Sequence, residues 1–371
     1  MSKEEITVGR IVALLENRAP AYDAFDWDNV GLQVGSLKQN VEKVMVTLDV
    51  LENVVDEAIE EGVDLIIAHH PLLFVKVNKI DVETPKGRVV QKLLKHNISV
   101  YASHTNLDIA SGGVNDVMSR LLDLQDTRPL IETNKEELLK LAVYVPHTHT
   151  EQVRNAISEA GAGHIGDYSH CTYQVNGEGT FKPLEGSDPY IGSTGELEKV
   201  EEKRIETILS KSILPQVLDA MIKAHPYEEA AYDLYPLLND GAPKGIGRIG
   251  VLNNPLSLKE LCREIKDKYE VPQLRFVGKP EQKVQKVAVL GGSGEKYYSS
   301  ALSQGADVYI TGDMSFHLAQ EAEENGLAVI DPGHHVEKVI LPELAKWIDD
   351  DFGKDLSVII SQSHTEPFKF E

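Results

Sequence analysis

The stretch Asp64-Leu-Ile-Ile-Ala-His-His-Pro-Leu-Leu-Phe74 decides how the rest of the chain is read. Leu65 to Ala68 is a short apolar run without alternation, the pattern of a strand buried on both faces in a parallel sheet. Two adjacent histidines and a proline follow. Pro71 lacks a backbone donor and keeps His70 extended, so the strand has little scope to continue. Open α/β sheets bind their ligands beyond the carboxyl ends of such strands. Neighbouring strand residues point to opposite faces, so His69 and His70 are awkward partners for one ion. They suit a site where each imidazole serves a different metal, or one where the chain has already turned. An isolated pair is more often one packed histidine beside one at the surface, so the company it keeps must decide.

Outward from this stretch, strands alternate with helices. Residues 44–50 read as a strand, 51–61 as a helix and 85–96 as a second helix stopped by Asn97. Residues 98–103 form the next strand, which runs into His104-Thr-Asn-Leu-Asp108. Upstream, 5–17 is a helix, and Trp27-Asp-Asn-Val-Gly-Leu-Gln-Val-Gly35 is a loop before a short strand, either a turn around a core tryptophan or a wall of the site. The pattern breaks at 127–134, where Pro129 stands among polar residues. A β-α-β-β-α-β order then runs from 140 to 235, the split βαβ arrangement of small ferredoxin-like domains. Past a glycine-rich stretch at 240–250 the first rhythm returns, with strands at 287–290, 307–313, 327–330 and 356–361. The predicted organisation is therefore an α/β core made of 1–128 and 238–371, with an inserted α+β domain at 129–237.

The outer regions echo one another. Each has a helix, a glycine, an aspartate and a strand ending in polar residues, at 56–70 and again at 300–313. The simplest account is two related α/β halves facing a common cleft, although any two βαβ units share part of such a pattern.

Bulk properties narrow the function. At 371 residues, 42% hydrophobic and 26% charged, the chain has the composition of a globular protein of about two domains. It contains no membrane-length apolar run and its first residues lack the apolar core of a signal peptide, so a cytoplasmic location is expected. Two unpaired-looking cysteines, Cys171 and Cys262, fit a reducing compartment. A formal net charge of −22 argues against non-specific nucleic-acid binding and against an anionic membrane surface. An anionic small molecule would need a local reversal of that field, which bound cations supply.

Three strand ends carry the chemistry: His69 with His70, His104 with Asp108, and His334 with Glu337. Imidazole with carboxylate is the ligand set for zinc, iron or manganese. A carboxylate can also bridge two ions about 3.5–4 Å apart. Two divalent ions against Asp108 and Glu337 leave the site net positive and ready for a phosphate; one ion would be about neutral. His335 competes with His334 on sequence alone, and His104 can be a ligand, a group behind the ligands or a proton carrier. Asp313 ends the strand matching that of His69, and is a candidate proton-transfer carboxylate. Gly291-Gly-Ser-Gly lacks full nucleotide-loop spacing and reads better as a tight turn.

At these residues the chain resembles the NGG-interacting factor three-like proteins, also known as type 2 GTP cyclohydrolase I homologues. Ala68-His-His-Pro71, Ser103-His-Thr-Asn-Leu-Asp108, Gly333-His-His-Val-Glu337 and the Trp27–Gly35 loop look like that family's signature stretches. His225-Pro-Tyr-Glu-Glu229 looks like the hallmark of the PII-like insert in its longer bacterial members. The resemblance implies two divalent ions per subunit, zinc first with iron or manganese as alternatives, held by His69, His70, Asp108, His334 and Glu337. It also implies a toroidal homohexamer with the metal sites facing an internal cavity. The expected activity is that of a dinuclear metal hydrolase on a phosphorylated or nucleotide substrate such as GTP, with His104 moving protons. The alternative is a non-catalytic metal carrier, or a regulator whose insert senses a ligand.

Overall fold

The computed structural model describes residues 5–369. The chain separates into two compact units, Met1–Asn134 with Lys244–Glu371, and Lys135–Pro243.

In the first unit, one sheet holds the strands Gly31–Val34, Ser99–Ala102, Leu65–Ala68, Lys43–Thr47 and Ser357–Ile360, in that order. All but the first run parallel. The apolar run 65–68 sits at its centre, every residue buried. A second sheet runs in the order Arg275–Val277, Ala328–Asp331, Val308–Gly312, Lys283–Ser293, Pro243–Ser257 and Gln125–Lys135. Its three middle parallel strands are those at 283, 308 and 328.

Burial on both faces has a concrete cause here. Val44, Val46, Leu65 and Ile67 face a core shared with Val287, Val289, Val308 and Ile310 of the second sheet. The helices Val8–Arg18, Val114–Leu121, Leu258–Lys268 and Leu341–Phe352 contribute to that same core. The alternate residues Met45, Ile66 and Val100 turn outward to the helices Glu52–Glu60 and Pro85–Lys95. Ala288, Tyr309 and Val329 likewise meet the helices Tyr298–Ser303 and Phe316–Glu324. Each parallel strand therefore meets apolar neighbours on both sides, which is why none of them alternates.

The structure corrects the sequence reading at three places. The break at 127–134 is part of a strand, Gln125–Lys135, at the edge of the second sheet. An edge tolerates Pro129 and exposed polar residues, because one side of the strand bonds to nothing in the sheet. The stretch at 240–250 opens the long strand Pro243–Ser257, whose glycines mask its β pattern. Two helices, Thr105–Ile109 and Val114–Leu121, follow the strand at 99–102, in a stretch to which the sequence reading assigned no element.

The unit Lys135–Pro243 has one antiparallel sheet, ordered Thr172–Phe181, Glu198–Ser210, Leu138–Pro146 and Tyr232–Pro236. Helices Thr150–Glu159 and Leu214–Ala224 close one face around Leu141, Val143, Ile205 and Val217. His225 ends the second helix, nearly buried. Its Nε2–H donates to the Tyr144 carbonyl at 2.9 Å and its Nδ1 accepts from the Tyr227 N–H at 3.1 Å. Both nitrogens are thereby satisfied in the neutral ring, and burial lowers its pKa below the ordinary 6.5. As pH falls through 6.5 the unfolded chain takes up a proton that the folded ring refuses, so stability falls with it. Thermal denaturation of the full chain at pH 7.5 and 5.5 should show wild type losing more than His225→Asn; equal losses would refute this.

Among the described residues, no helix is long and apolar enough to cross a membrane.

Candidate metal centre

The carboxyl ends of both parallel sets meet in one place. His69 and His70 leave the strand Leu65–Ala68, and their N–H groups donate to the carbonyls of Thr47 and Leu48 at 3.1 and 2.9 Å. His104 and Asp108 follow Ser99–Ala102, and His334 and Glu337 follow Ala328–Asp331. Asn115 ties the two sheets at this point. Its Nδ2 donates to the Asp108 carbonyl at 2.9 Å and its Oδ1 accepts from the Gly291 N–H at 3.0 Å.

Every histidine of the cluster is held by its Nδ1. His69 Nδ1 donates to the Ser103 carbonyl at 2.9 Å and His70 Nδ1 to Asp49 Oδ1 at 2.7 Å. His104 Nδ1 donates to Asp28 Oδ1 at 2.8 Å and His334 Nδ1 to Asp313 Oδ2 at 2.7 Å. Carbonyls and carboxylates can only accept, so Nδ1 carries the hydrogen and each Nε2 presents to the centre. A ligating histidine is oriented by such a partner in just this manner.

The inward atoms form three overlapping groups whose donors lie within 4.8 Å of one another: His69, His70, His104; His70, His334, Glu337; and His69, Asp108, Glu337. Glu337 belongs to two of them through different oxygens. Its Oε2 is 2.9 Å from His70 Nε2 and 3.3 Å from His334 Nε2, while its Oε1 is 3.6 Å from His69 Nε2. His69 Nε2 is also 3.7 Å from Asp108 Oδ1, and among the described residues these two buried atoms have no hydrogen-bond partner. Leaving each unsatisfied costs about 1–3 kcal/mol. A cation coordinated by both removes that cost, so the donor set fits a divalent metal ion. His335 turns away instead, with Nε2 3.1 Å from Thr365 Oγ1.

Gly291-Gly-Ser-Gly lies against the cluster, but not as an anion loop. Gly292 has a φ of +62°, and a Cβ there would stand 2.5 Å from Glu337 Oε1. Glycine is what lets the buried glutamate approach the backbone.

The electrostatics differ from the sequence count. Asp28, Asp49 and Asp313 add three carboxylates behind the histidines, so two divalent ions no longer leave a positive surplus. Burial pulls His70 and His334 down, yet hydrogen bonds to carboxylates win and raise them to about 10 and about 9. Burial pushes Asp108 up to about 6, opposed by His69. Burial also resists the charge on Asp28, but hydrogen bonds with His104 and Thr105 bring it down to about 2.

A cavity of about 940 Å³ opens over the cluster. Phe25, Trp27 and Phe74 line one part of it, Trp27 and Phe74 standing edge-on to His104 with ring centres 6.2 and 6.0 Å away. Lys296 and the C-terminal residues Thr365 to Phe368 line another part. Asp49 and Asp28 were not singled out in the sequence. Asp49 had a usable signal, an acid directly after a buried strand. Asp28 had none beyond its place in a loop rich in glycine and aromatic residues.

Fold and site together define an α/β protein with His/Asp/Glu clusters that could hold metal ions. The chain belongs to the Duf34/NIF3 (NGG1p interacting factor 3) family, whose pattern matches residues 6–367. It is 50% identical over 366 residues to the GTP cyclohydrolase 1 type 2 homolog of Bacillus subtilis strain 168, covering 97% of this chain and 98% of that one. The crystal structure of a Bacillus cereus protein related to NIF3 superposes with a TM-score of 0.86 at 46% identity, covering 100% of both chains. That of Staphylococcus aureus protein SA1388 gives 0.71 at 29% identity, again over 100% of both.

Proposed function

We propose that this protein is a dinuclear metal hydrolase acting on a nucleotide, with GTP the first candidate substrate. One observation carries the reading: four imidazoles are fixed through Nδ1 with Nε2 inward, and the two oxygens of Glu337 face different ones. His69 and Asp108 would hold one ion, His70 and His334 the other, and Glu337 would bridge them. Divalent ions held there would supply Lewis acidity, and zinc, iron and manganese all suit the donors.

The chain's own groups supply the rest. Trp27 and Phe74 offer ring faces and edges to a planar base at the cavity wall, and Lys296 offers a cation to phosphate. His104, backed by the buried Asp28, can pass a proton through Nε2 while Asp28 stabilises the imidazolium. Thr105 adds two hydrogen bonds to Asp28 Oδ2, at 3.0 and 2.6 Å, which stop that carboxylate from swinging away. The name of the B. subtilis relative supports the choice of GTP. The same reading takes Lys135–Pro243 as a PII-like insert, supported by its strand order and by the motif at 225–229. A ring of six copies belongs to it on the resemblance alone.

Metal content and GTP turnover, measured together, test it. His104→Gln should lower kcat by about 10²–10⁴-fold with the metal retained. Asp28→Asn should lower kcat less and shift the pH profile. Loss of metal in His104→Gln would make His104 a ligand. Turnover surviving His69→Ala or Asp108→Ala would end the hydrolase reading. No turnover, with metal passing readily to an acceptor protein, would put a carrier in its place.

A further inference from the structure

The unit Lys135–Pro243 contains a second cavity, of about 700 Å³, which the metal chemistry does not use. It lies over the sheet end where Tyr144 and Glu202 project from the face opposite the helices, beneath the segment 181–191. Three rings gather at its wall. Tyr227 stands 5.9 Å from Phe181 and 6.2 Å from Tyr190, centre to centre.

Its charge is one-sided. Glu185, Glu202, Glu228 and Glu229 line it against the single cation Lys182. Glu202 is only 8% exposed, and among the described hydrogen bonds it accepts through Oε1 alone, from the Tyr227 hydroxyl at 2.9 Å. Its Oε2 rests against Gly179, where a Cβ would come within 2.2 Å of that oxygen. The backbone thus makes room for a buried carboxyl group whose second oxygen is free for a ligand.

Two kinds of cation could be drawn there. A metal ion needs several donors converging on one point, and among the described residues the groups that do so are all in the other unit. Aromatic faces beside a desolvated carboxylate instead match an organic cation, attracted by ring quadrupole and charge together. We propose that this cavity is a binding site for a small organic cation, a protonated amine or a quaternary ammonium compound. Glu202 supplies the charge, Tyr190 and Tyr227 the ring faces, and 181–191 the cover.

Choline and 1,4-diaminobutane, titrated into the full-length protein by calorimetry, test the assignment, with 3,3-dimethylbutan-1-ol as the uncharged isostere of choline. At least one cation should saturate below roughly 10 mM, and the neutral isostere should bind about tenfold more weakly or worse. Glu202→Gln should cost about tenfold in affinity, and Tyr190→Leu, at a half-exposed position that cannot threaten folding, several-fold. His70→Ala should leave the affinity unchanged, since that residue lies in the other unit. Equal binding of the neutral isostere, wild-type affinity in both Glu202→Gln and Tyr190→Leu, or no saturation by either cation would overturn the proposal.

Discussion

On the dinuclear centre proposed above, Glu337→Gln should strip both metal positions at once. Glu337 is 3% exposed and is the one side chain common to the His69–Asp108 and His70–His334 groups. Glutamine keeps the shape but replaces one oxygen by an NH₂ group, which cannot coordinate. It also removes the negative charge that three imidazoles hold in place: burial would raise the Glu337 pKa, yet His69, His334 and His70 keep it well below the ordinary carboxylate value. Metal per chain, measured by mass spectrometry, should fall from about two to well under one, with activity down at least about 10³-fold. Asp313→Asn gives the scale for comparison. Asp313 only orients His334, and losing such an outer partner typically costs 10–100-fold in metal affinity, a figure of roughly that order being expected here. A Glu337→Gln protein carrying wild-type metal would show that the glutamate bridges nothing.

The second large effect is on stability. Arg248 is 6% exposed in the strand Pro243–Ser257 and forms an ion pair with Asp116. It also donates to the carbonyls of Gly245 and Gly247 at 2.8 Å each, and to those of Ile109 and Ala110 at 3.4 Å each. Arg248→Met fills most of the volume but satisfies none of these acceptors and leaves Asp116 without its partner. Removing one member of a buried pair costs about 3–5 kcal/mol. The thermal midpoint of the first unit should drop by several degrees. Because Ile109 and Ala110 follow Asp108 directly, metal content should fall with it. Asp116→Asn, at a more exposed position, should cost less. A wild-type midpoint in Arg248→Met would mean that these contacts carry little energy.

The residues that cluster were in part legible in the sequence. The residues at three strand ends, His69 with His70, His104 with Asp108 and His334 with Glu337, do lie together: Leu65–Ala68 and Ser99–Ala102 are neighbours in one sheet, and Ala328–Asp331 of the other sheet brings its carboxyl end to theirs. The awkwardness of His69 and His70 as partners for one ion has only a partial counterpart in the structure: the two share one group with His104, while in the other two groups His69 stands with Asp108 and Glu337, and His70 with His334 and Glu337. Less readable were Asp28 and Asp49, whose histidine partners stand well away from them in the chain, and the choice between His334 and His335, which rests on which ring faces His70. The edge strand at 125–135 was misread because its proline and polar residues suit a loop and an exposed edge equally well.

Local pattern therefore settled the strand and helix rhythm and the types of donor at the strand ends, since burial on one or two faces writes a period into the residues themselves. Assembly in three dimensions settled the rest: Ser357–Ile360 closing the sheet of Lys43–Thr47, Arg248 and Asn115 drawing the Asp108 segment to the second sheet, and an oxygen fixing each Nδ1. Those pairings join segments far apart in the chain. Side-chain packing and hydrogen-bond satisfaction select them, and neither leaves a periodic mark on the residues involved.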